Sequence, residues 1–127
     1  MRLAVFGGFL SQVVAPSTEI EGNLVKLNIG GWHTVQDPGE AQIRKAIKEL
    51  DNFEEFLVLA KDDLTYIQSS GDSRIGFDLE YQEGSIDHHF RARKTDFDVE
   101  TIVAKFAAYA ASENGWRDGV DWEKFTL

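Results

Sequence analysis

Between residues 40 and 50, Ile43, Ala46, Ile47 and Leu50 recur every three or four positions, the spacing that lays one apolar stripe along an α-helix. "DPGE", residues 37 to 40, predicts its start: Asp37 can cap, Pro38 suits the first helical position, and Glu40 completes a capping-box spacing. A second helical repeat runs through Val99, Ile102, Val103, Phe106, Tyr109 and Ala110, with Asp98 as cap, Phe97 placed to pack on Ile102, and "ENG" as its end. Between the two repeats the period falls to two. "EEFLVLAK", "LTYIQSS", "RIGFDLEYQ" and "SIDHHFRAR" read as four strands, separated by turns at "DD", "GDS" and Glu83-Gly84. Before the first helix, residues 2 to 14 read as an apolar strand or docked arm, and "EIEGNLVKLNI" as a strand, after which "GGWHTV" turns the chain. The tail "WRDGVDWEKFTL" carries Trp116, Trp122, Phe125 and Leu127 and is too apolar for a free end, so it docks on the body. These elements predict an α+β fold in one domain, residues 1–127, with residues 1–17 as an arm or extra strand. A single antiparallel sheet is built on a meander at residues 55 to 93, N-terminal strands extend it, and two helices cover one face.

A two-residue turn at Glu83-Gly84 pairs Tyr81 with Ile86, Leu79 with His88 and Phe77 with Phe90 on one face, and Glu80 with Asp87 and Asp78 with His89 on the other. The adjacent histidines therefore point to opposite faces and cannot chelate one ion from a regular strand, so no metal site is expected. His88 falls at the edge of the core. His89 shares the polar face with Asp78, Glu80, Asp87, Arg91 and Arg93, the one acid/base constellation in the chain. Its simpler reading is an exposed cross-strand charge ladder. Its sharper reading is a catalytic group of Asp78, Glu80 and His89, since neighbouring carboxylates and an imidazole tune one another's protonation. His33 has no evident partner.

Composition narrows the function. Thirteen Lys and Arg against 22 Asp and Glu give a net charge of -9, which repels phosphate backbones and excludes nucleic acid as a partner. The same field speeds encounter with a basic protein. No cysteine is present, so there is no disulfide, thiolate zinc site or cysteine nucleophile, and a reducing, cytoplasmic location fits. The opening "MRLAVFGGFLSQVVAPS" has one basic residue and an apolar run broken by Ser11 and Gln12, a poor secretion signal, and nothing approaches a membrane span. "FGGF" lacks the Lys-Ser/Thr of a phosphate loop, and neither G-x-G-x-x-G nor G-x-S-x-G occurs, so no cofactor is implied. An exposed Trp beside acidic residues makes a binding hot spot. The candidate binding residues are therefore Asp78, Glu80, Asp87, His89, Arg91 and Trp122.

The order Trp32, a helix, "FLVLAKDDLTYIQSSG", "GFDLEYQEGSIDHHF", an amphipathic helix ending in "AKFAAYA", then Trp116 and "DWEKFTL" resembles a group of small uncharacterised bacterial proteins. The likeness covers residues 24 to 127, and its most specific pieces are "TYIQ" and "LEYQEGS". In layout the group is similar to immunity proteins of bacterial polymorphic-toxin systems. That resemblance implies a non-catalytic protein that binds a basic toxin. Two other readings stand beside it: a small enzyme or ligand-binding domain using the acidic/His face, and a homo-oligomeric structural protein, such as a homodimer, that pairs sheet edges or buries Trp122.

Overall fold

The computed structural model describes residues 25–31 and 33–126, with the backbone alone for residues 51–54. The expectations for residues 2–14 and 1–17, for the strand before Val25, and for Trp32 and Leu127 lie outside the described residues. The fold is α+β, with one antiparallel sheet.

Strands β1 (Lys26–Ile29) and β2 (His33–Gln36) form a hairpin through Gly30 and Gly31, whose φ of 65° and 84° are readily reached only without a side chain. Helix α1 (Glu40–Glu49) follows, and it starts two residues later than the sequence predicts. Asp37 does not cap it. Its N–H donates to the Val25 carbonyl at 2.8 Å and its carboxylate accepts from the Val25 N–H at 3.0 Å, which ties the chain back to β1. Gly39 takes the cap position, and its N–H donates to the Gln42 side chain at 2.9 Å.

The meander comes next: β3 (Asp51–Asp62), β4 (Thr65–Asp72), β5 (Gly76–Phe77), β6 (Glu80–Glu83) and β7 (His89–Ala92). Helix α2 (Val99–Ala110) is capped by Asp98, which accepts from the Thr101 N–H at 2.8 Å. The tail then adds β8 (Trp122–Lys124) to the sheet beside β7, so it docks as a strand. Across the sheet the order is β2-β1-β3-β4-β6-β7-β8, with β5 paired to β4. The predicted strand "RIGFDLEYQ" is divided. Phe77 exchanges backbone hydrogen bonds with Phe97, both 3.0 Å, and the Asp78 carboxylate accepts from the Ser70 N–H, so the chain leaves and rejoins the ladder.

The register between β6 and β7 differs by four residues from the predicted one: Tyr81 faces Phe90, Gln82 faces His89 and Glu80 faces Arg91. Gly84 is followed by a 3-10 turn at Ile86–His88, capped by the Ser85 hydroxyl accepting from the Asp87 N–H, in place of a two-residue hairpin. Because a shift of four is even, every side chain keeps its predicted face. Ile86 and His88, both predicted on the core face, are the exceptions. Both sit in the turn and are exposed, His88 off the core edge where it was expected.

Leu27, Leu57, Leu59, Ile67, Phe77, Leu79 and Tyr81 from the sheet meet Ile43 and Ile47 from α1 and Ile102, Val103, Phe106 and Tyr109 from α2 in one buried cluster. Each large apolar side chain enclosed there stabilises the fold by about 1.5–3 kcal/mol. Arg44 holds the two helices together through both oxygens of Glu100, at 3.2 and 2.7 Å.

Candidate functional site

The alternation that sends Ile67, Tyr81 and Phe90 into the helix-covered core sends Tyr66, Gln68, Glu80, Gln82 and His89 to the opposite face. That face is not solvated there. His89 is 1% exposed, Gln68 2%, Gln82 and Tyr66 3%, and Glu80 5%, which overturns the exposed charge ladder.

Most of their polar atoms satisfy one another. His89 Nε2 lies 3.0 Å from Glu80 Oε1, and His89 Nδ1 lies 3.0 Å from Gln82 Oε1. Gln68 Nε2 donates to the same Glu80 oxygen at 3.0 Å, and the Tyr66 hydroxyl donates to Gln82 Oε1 at 3.4 Å. The Gln82 amide is oriented by the Leu64 carbonyl, which accepts from its Nε2 at 3.2 Å and so turns Oε1 toward the histidine. Nδ1 must therefore carry a proton. Nε2 faces Glu80 Oε1 at hydrogen-bond distance, so the imidazole and the carboxyl group form a buried pair. A buried pair joined in this way avoids the cost of an isolated charge in a dry interior. The Phe125 ring packs 5.6 Å from the imidazole, and the Arg91 guanidinium lies 4.5 Å above the Phe125 ring.

Of the residues singled out in the sequence, the structure joins Glu80 with His89 and disperses the rest. Asp78 is bound to the Ser70 N–H and hydroxyl at 2.8 and 2.9 Å, strapping β4 to the start of β6. Asp87 is exposed in the 3-10 turn. Arg91 is exposed and pairs with Glu123 at 2.8 Å, beside Arg93, which reaches Glu123 at 3.0 Å. Trp122 lies on the other face, half-buried, with its ring edge-on to Tyr81 at 4.7 Å and its Nε1 donating to the Arg117 carbonyl. Tyr81 is also edge-on to Trp116 at 4.8 Å, so both tryptophans complete the core. The Arg117 guanidinium covers Tyr81 and Trp116 and pairs with Glu83.

The sequence reading missed Tyr66, Gln68 and Gln82. A hint of them was present: "TYIQ" and "EYQ" put a phenol and two amides, beside the one carboxylate of Glu80, at positions alternating with Ile67 and Tyr81. Uncharged hydrogen-bonding groups of that kind suit an interior better than a wet sheet face.

Chemically, the array places proton donors and acceptors in mutual contact, so a substrate would have to break internal bonds to engage them. Two buried polar atoms lack a hydrogen-bond partner among the described residues, Gln68 Oε1 beside the array and the Tyr109 hydroxyl in the core. Burial raises the ionisation range of the Tyr109 hydroxyl and keeps it neutral. No group of three or more potential metal ligands occurs among the described residues, and none of their helices is long and apolar enough to cross a membrane. Comparison with protein-family models, with curated proteins and with solved structures finds no match to the chain.

Proposed function

We propose that this protein is a non-catalytic binding module that recognises a basic protein, in the manner of an immunity protein that blocks a toxin, and that it works in the cytoplasm. One observation carries the reading. The acid/base-capable pair, Glu80 and His89, is 5% and 1% exposed and bonded within the fold, while the chain carries a net charge of -9 and most carboxylates of the described side chains are exposed. A field of that sign raises the rate of encounter with a positively charged surface and discriminates against acidic partners.

The test is affinity capture from the lysate of the native host at low and high salt, with retained proteins identified by mass spectrometry. A basic protein held at low salt and released at high salt is the expected result. Retention of acidic proteins, or of nothing at either salt from cells known to make both partners, contradicts the proposal.

A small-ligand or catalytic reading is favoured by the unpartnered Gln68 Oε1 beside the Glu80–His89 pair. It requires an activity or a bound ligand that His89→Ala abolishes and that His88→Ala leaves intact.

A further inference from the structure

From that reading of the protein as a binder of basic partners, we infer that the partner docks on one end of the sheet, formed by the turn between β3 and β4 and the loop between β6 and β7. Leu64 is 44% exposed and Ile86 60%, and they stand at this same end, because the Leu64 carbonyl accepts from the Gly84 N–H at 3.0 Å. The only other large apolar side chain so exposed among the described residues is Ile75, at the opposite end.

Both apolar residues are held outward by rigid turns. The Leu64 N–H donates to the Asp62 carboxylate at 2.9 Å, and its carbonyl is shared by the Gly84 N–H and the Gln82 amide. Ile86 is presented by a 3-10 turn whose next two residues are pinned on Ser85, through the Asp87 and His88 N–H groups. An ordered loop loses little entropy on binding, so apolar side chains displayed in this way favour a contact site. The buried array contributes here: Gln82, oriented between His89 and Leu64, is a positioning residue for the turn that carries Leu64.

Charge selects the partner. Asp62, Asp63 and Asp87 flank the two apolar side chains and are exposed, whereas Glu83 is already paired with Arg117. The complementary surface presents an apolar or aromatic side chain between lysines or arginines.

Proton–nitrogen correlation NMR of the full chain tests the site, with the peptide Lys-Trp-Lys-Trp-Lys as probe and Glu-Trp-Glu-Trp-Glu as control. The basic peptide is expected to shift amides at residues 62–65 and 83–88 at low salt, to lose most of the effect at about 0.5 M salt, and to leave residues 73–76 unmoved. Ile86→Ser, at an exposed position, is expected to weaken the peptide about threefold or more, and Ile75→Ser to leave its affinity unchanged. Shifts centred on α1 or spread over the whole acidic surface, equal effects of the two substitutions, or no shift at all overturn the site. Salt-sensitive capture of a basic protein, combined with such a result, leaves the function standing and moves the surface elsewhere. Failed capture removes the function itself.

Discussion

Replacing His89 by leucine removes both ring nitrogens from the centre of the buried array and leaves Glu80 Oε1 and Gln82 Oε1 facing an apolar side chain. Breaking a buried pair by deleting one partner costs about 3–5 kcal/mol, most of it the penalty on the group left behind. With an unfolding entropy of about 2.1 cal/mol/K per residue, 127 residues give about 270 cal/mol/K, so 1 kcal/mol moves Tm by about 4 °C and His89→Leu lowers it by about 11–19 °C. Glu80→Leu is expected to fall in the same range, because it strands the imidazole instead. The double variant is the decisive one. With both members gone neither is left unpaired, so it is expected to retain about 2–3 kcal/mol more stability than the sum of the single losses. Thermal unfolding by circular dichroism, with urea titrations for the free energies, supplies the cycle. Losses that add to within about 0.5 kcal/mol, or a fall in Tm below about 3 °C for His89→Leu, would refute the claim that the pair is buried and coupled.

Gly71→Ala is expected to destabilise by about 2 kcal/mol or more, because its φ is +135° and an added methyl would sit 2.2 Å from the Gly76 carbonyl oxygen. Gly115→Ala, with open space around it, should stay within about 0.5 kcal/mol of the parent in the same urea titration. Tyr109→Phe deletes a buried hydroxyl that has no hydrogen-bond partner among the described residues, so stability should be unchanged or rise by up to about 1 kcal/mol; a loss above about 1 kcal/mol would show that the hydroxyl is bonded. The Asp72 carboxyl is held below its ordinary range, first by the Ile75 N–H and then by the Arg74 N–H and guanidinium. A carboxyl lowered in the folded state lends stability above its unfolded range and loses it as pH falls through the folded one, so Asp72→Asn should flatten the acid limb of a stability profile between about pH 5 and pH 2. An unchanged limb would count against that role.

The helices and the meander were legible because their signals are local: a 3.6-residue apolar repeat around Ile43 and Phe106, and a two-residue repeat through Leu57, Ile67 and Leu79. Face assignment was legible as well, and His89 stands with Glu80 as the alternation requires. The register was not. It depends on whether Gly84 opens a two-residue turn or a longer loop, and Ser85 capping a 3-10 turn decides that through one hydroxyl. The burial of the polar face was legible only as a hint, in the uncharged side chains of Tyr66, Gln68 and Gln82, since exposure is a property of what packs over a strand and period two is the same for a wet face and an enclosed one. The edge strand β8 escaped for a similar reason. Trp122, Glu123 and Lys124 form too short a run to show a period, and they are strand only because β7 offers Phe90, Arg91 and Ala92 as partners.

The difference between His88 and His89 bears most directly on whether the acid/base pair is internal structure or open chemistry. Proton–nitrogen NMR of the imidazole rings, with exchange of the ring N–H groups followed after transfer to heavy water, separates the two neighbours. The expected result is a His89 Nδ1–H that persists, protected by the Gln82 acceptor and the near-complete burial of the ring, beside a His88 ring that exchanges at once. A His89 ring that exchanges as fast as that of His88 would place the pair in reach of solvent, contradict the internal array, and return Glu80 and His89 to the surface as candidates for catalysis.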